Sequence, residues 1–195
     1  MIDYIEADDV ISYVVQHEKY KDWEKVIVSS DKDFYQLISD KTKLYRPIQD
    51  DLVDYPSLIE NFKIHPKNFA LARSLVGDKS DNLPGVPRVG LKTVAGKFPF
   101  LKESQQYEVE DIMQHCETLE KRLKLHENIL EHSSLVEKNY EIMQLYSPSI
   151  SYLHQKQINF SLKEFEPKLE KLQLTKKLHY DGINAGSFNV LFNTV

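Results

Sequence analysis

Three acidic groups could do chemistry by residue type and spacing. Glu6, Asp8 and Asp9 lie in "YIEADDVI", Asp31 and Asp33 in "VSSDKDFYQL", and Asp78 and Asp81 in "GDKSDNLPGVPRVGLKTV". Seven carboxylates gathered in one cleft would repel one another and be driven toward protonation unless divalent cations neutralised them. Mg²⁺ suits such a cleft, with Mn²⁺ as a substitute, because it takes oxygen ligands, keeps several waters and bridges carboxylates to phosphate. Two ions roughly 4 Å apart would activate a water against a phosphodiester and stabilise the departing oxygen. No histidine or cysteine stands at these positions, which speaks against zinc. Each group alone also has a plain reading. Glu6, Asp8 and Asp9 suit the positive end of a helix dipole, Ser30 or Asp31 suits an N-cap for "DFYQLI", and Asp78 and Asp81 suit an ordinary polar turn.

The third group runs directly into a different chemistry. Gly85 and Gly90 flank Pro87 in "LPGVPRVGLKTVAGK", a tight turn between two short helices, the second starting near Leu91. Such a turn offers backbone N–H groups to a phosphate, with Lys79, Arg88, Lys92, Thr93 and Lys97 close by. Grip of this kind reads no bases and weakens with salt. From Arg73 to Lys102 there are six cations (Arg73, Lys79, Arg88, Lys92, Lys97, Lys102) against two anions, a local charge of +4 in a chain of net charge -5. The alternative is a plain loop between packed helices.

The elements that must position these groups can be read from pattern. Val10, Ile11, Val14 and Val15 make residues 6–19 an amphipathic helix, and "KVIVSS" (25–30) and "TKLYRP" (42–47) read as buried strands of a parallel sheet. Asp31 and Asp33 then fall just past the carboxyl end of a strand, where open α/β sheets bind ligands. Pro56 and Pro66 sit where helices begin, and the second of these runs to Gly77. Beyond Pro99 the pattern is mainly helical: a long helix over 107–134 with Ile112, Cys116, Leu119, Leu123 and Leu130 on one side, a connection at 146–151, and another helical piece over 161–174. The expected organisation is residues 1–65 as α/β metal-binding part and 66–195 as DNA-binding and helical part. With 195 residues, 41% hydrophobic content and a mean hydropathy of -0.47, the chain can bury a core, and nothing in it reads as a membrane span or signal peptide. Cys116 is a single thiol, which leaves no internal disulfide and no thiolate cluster. The expected location is the cytoplasm of a bacterial or phage-infected cell.

The three quoted segments resemble successive signature blocks of the 5′ nuclease superfamily, the flap endonucleases and 5′ to 3′ exonucleases, in the same order. The resemblance covers residues 4–98. The remainder is more faintly similar to phage members of the ribonuclease H type. It implies a parallel sheet flanked by helices, of the PIN-like kind, carrying a helix-three-turn-helix DNA-binding element. It implies that Glu6, Asp8, Asp9 and Asp31 surround one metal and that Asp33, Asp78 and Asp81 lie around or near a second. It also implies that Gly85 to Thr93 holds the duplex part of a branched or nicked substrate, with a K⁺ ion bound at the hairpin in relatives.

Family members also carry, before the first acidic block, a strand ending in an aspartate, a further aspartate and a helical arch, which these 195 residues lack. The expectation is therefore the C-terminal part of a metal-dependent 5′ nuclease with an incomplete sheet, completed by a separate N-terminal polypeptide or by self-association. The alternative is a catalytically inactive module that binds branched duplex DNA.

Overall fold

A computed structural model describes residues 5–148, 150–164, 171–180 and 182. The chain opens with α1 (Ala7–Val15), shorter than its apolar pattern, because the chain turns at Gln16 and His17 Nδ1 accepts the N–H of Lys19 to start a 3₁₀ turn. β1 (Lys25–Val28) pairs in parallel with β2 (Thr42–Arg46), and β2 pairs antiparallel with β3 (Asp51–Val53). The sheet is thus three strands in the order β1-β2-β3 with one antiparallel edge. β3 escapes the sequence pattern because "DLV" is too short and too polar to stand out.

The expected burial of β1 holds only for Ile27; Val26 and Val28 are 42% and 44% exposed. One face of the strand packs on the core, and among the described residues the other is only partly covered, by α1, Trp23 and Leu162. β3 leads into α2 (Tyr55–Phe62), where Asp54 Oδ1 accepts the N–H of Ser57 and the Ser57 hydroxyl accepts the N–H of Asp54. A 3₁₀ turn at Pro66–Asn68 then feeds α3 (Phe69–Val76).

α3 is the axis of the molecule. Seven of its eight residues, Phe69 to Leu75, are buried, and it packs against both α7 (Ser133–Met143) and α4 (Leu91–Lys97). The expected single helix over 107–134 is instead α5 (Val109–Thr118) and α6 (Lys124–Glu131), followed by α7 (Ser133–Met143). A straight helix of that length would run about 42 Å. The turn at 119–123 folds it back so that Ile112, Cys116 and Ile129 all reach one core at 0% exposure. His126 Nδ1 accepts the N–H of Leu123 to begin α6, leaving Leu123 43% exposed rather than in the core. α8 (Tyr152–Glu164) and α9 (Lys171–Tyr180) follow; the part of the expected 161–174 helix at 165–170 lies outside the described residues. The buried cluster runs unbroken from Ile27 through Leu71 and Phe98 to Leu145, so both parts of the chain share one core. Among the described residues no helix is long and apolar enough to cross a membrane.

Candidate functional site

Three acidic turns come from separate elements. Glu6 is the exposed N-cap of α1 and its side chain makes no cap bond, while Asp8 and Asp9 occupy the first turn, half-buried. Burial and the neighbouring Asp8 raise the Asp9 carboxyl above its ordinary range. After β1, Asp31 caps a 3₁₀ helix (Lys32–Leu37), its Oδ1 accepting the Asp33 N–H at 2.8 Å, and Ser29 Oγ accepts the Asp31 N–H at 3.1 Å. The cap role and a position past the strand end are therefore both realised at Asp31.

Asp78 and Asp81 sit in a loop drawn shut by the bonds Asp78 N–H to Leu83 C=O (2.9 Å) and Leu83 N–H to Asp78 C=O (2.7 Å). Asn82 turns this loop through a left-handed φ of 58°. Below it the chain crosses itself: a Cβ on Gly85 would lie 1.9 Å from the Val76 carbonyl oxygen, and one on Gly77 2.4 Å from the Gly85 nitrogen. Only glycine permits that approach, which fixes the acidic loop to the root of the hairpin.

Arg73 links the second and third acidic groups. Its side chain is 8% exposed, lies 3.1 Å from Asp33 Oδ1, and is ion-paired to Asp78 as well. Burial pushes Asp33 up to about 6; Arg73 opposes the rise, and Asp31 and Asp78 add to it. Burial would also raise Asp78, but the Ser80 hydroxyl and N–H together with Arg73 outweigh it and hold the carboxyl down to about 2. Asp81 is raised by burial and then by Asp78, Asp31 and Asp8, so it lies within electrostatic reach of a carboxylate from each of the other two groups. Among the described residues, no three of them approach closely enough to grip one ion. The donor chemistry fits a hard divalent cation: every acidic donor is a carboxylate oxygen, and Asp9, Asp33 and Asp81 are destabilised as anions by burial first and by nearby carboxylates second. Pattern reading counted Arg73 only among the local cations. Its signal is a lone charge inside the otherwise apolar helix "FALARSLV".

The hairpin continues from Gly85, with the Val86 N–H bonded to the Leu75 carbonyl at 2.9 Å. Its turn bends at Arg88, whose φ is 67°; Gly90 is in ordinary extended backbone with open space around its Cα. Gly90 caps α4 and its carbonyl accepts the Thr93 and Val94 N–H groups. Lys79, Arg88, Lys92 and Lys97 are exposed and, among the described residues, enter no ion pair. From α7, Asn139 holds the hairpin root, its Nδ2 donating to the carbonyls of Ser74 (3.0 Å) and Pro84 (2.8 Å). The loop of Asp78 and Asp81 and a cationic hairpin thus share one tightly tied corner.

The family model of the 5'-3' exonuclease N-terminal resolvase-like domain matches residues 1–63. A 5'-3' exonuclease of Aquifex aeolicus is 29% identical over 179 residues, which is 89% of this chain and 57% of that protein. A 5'-3' exonuclease of Buchnera aphidicola from Schizaphis graminum is 39% identical over 89 residues, 46% of this chain and 31% of that protein. The fold is shared with the 5'-exonuclease of phage T5 (TM-score 0.66, 20% identity, 82% of this chain and 66% of that one). It is shared too with a bacteriophage T5 flap endonuclease in complex with DNA and metal ions (TM-score 0.67, 19% identity, 82% and 59%). This chain is therefore similar in sequence to 5'-3' exonucleases and in fold to the phage T5 5'-exonuclease. It spans little more than half of the Aquifex relative's length and less than a third of the Buchnera one's.

Proposed function

We propose that this chain is the metal-holding and duplex-gripping part of a 5′ nuclease that hydrolyses phosphodiesters at the 5′ ends or flaps of branched or nicked DNA. The observation that carries this reading is the Gly77–Gly85 crossing, which ties the acidic loop of Asp78 and Asp81 to the cationic hairpin. Residues 1–65 with the 78–81 loop would carry the metal chemistry, and the helix-hairpin-helix from α3 to α4 the grip. Glu6, Asp8, Asp9 and Asp31 would hold one Mg²⁺, and Asp33, Asp78 and Asp81 a second, with Mn²⁺ able to replace them. Such ions, when bound, supply an activated water and a stabilised leaving oxygen. Arg73 keeps Asp33 and Asp78 aligned through a buried pair, and Ser80 keeps Asp78 ionised. Lys79, Arg88, Lys92 and Lys97 attract the phosphates, Thr93 and the first-turn N–H groups of α4 hydrogen-bond them, and a K⁺ ion would sit at the hairpin carbonyls. A separate N-terminal polypeptide would complete the site.

A second reading has one observation in its favour. Because no three acidic side chains converge among the described residues, the chain could serve as a duplex-binding module without catalysis. Titrating the purified chain with Mn²⁺ by calorimetry, then repeating with Asp31→Ala and Asp81→Ala, separates the two. Metal uptake lost in both variants is the expected result. Salt-sensitive duplex binding with no metal uptake, indifferent to chelator, would favour the inactive module.

A further inference from the structure

Leu145, just past the end of α7, joins two of the acidic groups through its own peptide. Its N–H donates to Gln36 Oε1 at 2.6 Å, and its C=O accepts from the Ser12 hydroxyl and from Gln16 Nε2, the latter at 3.0 Å. Gln36 belongs to the 3₁₀ helix of Asp33, while Ser12 lies in α1 and Gln16 ends it. Gln36 Nε2 also donates to the carbonyls of Asp33 (2.8 Å) and Met143 (2.9 Å), so both ends of this buried amide are bonded. The Asp33 peptide is thereby held at both ends, its N–H by Asp31 Oδ1 and its C=O by Gln36. Ser12 is fully buried and stands at i+3 from Asp9 and i+4 from Asp8, which puts it on their face of α1.

Packing alone does not call for an amide at this place. Gln36 sits among the buried Phe34, Tyr35 and Leu37, where an apolar side chain of the same length would fill the space. What the amide adds is direction, because its hydrogen bonds fix a distance and an angle that apolar contact leaves loose, and a buried network of this kind is costly to leave half-made. The same helix carries Asn139, whose amide holds the hairpin root beside the loop of Asp78 and Asp81. All three acidic groups are therefore tied to α7 or to the residues that directly follow it. We infer that Gln36 is a positioning residue: acting through the Leu145 peptide, it sets the separation of the Asp8–Asp9 turn from the Asp31–Asp33 turn. This rests on the nuclease reading for what the carboxylates hold, and it goes beyond that reading by giving a neutral amide outside the acidic groups control over how well they hold it.

The test uses the full chain and two readouts. In calorimetric titration with Mn²⁺, Gln36→Met should lower affinity about tenfold or more, as loss of a group that supports a metal ligand ordinarily does. Asn68→Leu is the matched control: it too removes a buried, fully bonded amide, here one that holds residues 101–107, and it leaves both acidic turns untouched. Its Mn²⁺ affinity should stay within about twofold of the unaltered chain. In amide exchange, Gln36→Met should speed residues 10–16 of α1 together with residues 33–38, each about tenfold beyond the change in Asn68→Leu. Circular dichroism checks that each variant folds. If Gln36→Met does not, Ser12→Ala combined with Gln16→Ala opens the bridge from its α1 side and should speed exchange at 33–38 and weaken Mn²⁺ binding alike. Unchanged Mn²⁺ affinity in Gln36→Met, an equal loss in Asn68→Leu, or faster exchange confined to 33–38 would each overturn the inference while leaving the metal reading in place. Exchange that speeds in both windows in a chain that takes up no Mn²⁺ would support the bridge and count against the metal reading.

Discussion

Arg88 bears a backbone conformation that side chains other than glycine avoid, at a cost of about 1 kcal/mol. It is exposed, and among the described residues its guanidinium is in no ion pair to offset that cost. On the proposed function an external anion offsets that strain, and phosphate is the anion the neighbouring lysines also suit. Arg88→Gly should therefore raise the melting temperature by about 2–4 °C while weakening duplex binding several-fold and reducing its salt slope. Thermal melting and titration at two salt concentrations measure both effects. Gly85 makes the opposite case: Gly85→Ala forces a Cβ onto the Val76 carbonyl and should cost about 3 kcal/mol or more, read as early loss of the far-ultraviolet circular dichroism signal on heating. The acidic residues and Gly85 were legible from type and spacing alone. Arg73 was not, because its partners Asp33 and Asp78 lie 40 and 5 positions away and only the fold brings them to one guanidinium.

At the level of elements, the hairpin is held from outside itself. Asn139 on α7 satisfies two carbonyls at its root and is 1% exposed. Asn139→Leu keeps the volume but leaves both carbonyls buried and unpaired, so it should cost about 2–3 kcal/mol and speed amide exchange across residues 78–89. α6 introduces a pH dependence. Burial lowers the His126 pKa from 6.5, with His115 and Lys97 adding to it, and its Nδ1 is already used by the Leu123 N–H. A depressed folded value means that its contribution to stability is complete above pH 6.5 and is lost as pH falls through that folded value. His126→Gln keeps an acceptor for Leu123 without a proton to gain, so denaturation midpoints measured from pH 7 to 5 should fall less steeply than in the unaltered chain. Helical spacing marked α1, α3 and the hairpin helices well. It failed at 119–123, where no glycine or proline signals the turn, and the break follows from the need of α5 and α6 to bury Cys116 and Ile129 in one core.

For the whole molecule, the charge separation visible in the sequence becomes a spatial one. The +4 segment forms the hairpin and its flanks, and the loop of Asp78 and Asp81 is tied to the hairpin root. What the sequence pattern could not supply is relative placement: that one core joins both parts of the chain, and that β1 presents a half-covered face beside α1. On the proposed function, hairpin and carboxylates serve one hydrolytic reaction. The direct measurement is cleavage of a 5′-flap duplex labelled at its 5′ end, by this chain together with the N-terminal polypeptide, in Mg²⁺ and in chelator. The expected result is a cut near the branch point that disappears with chelator and falls at least a hundredfold in Asp81→Ala, a variant of an exposed side chain that should leave the fold intact. An assembled complex that binds the flap yet leaves it uncut, or cuts it equally in chelator, would contradict it.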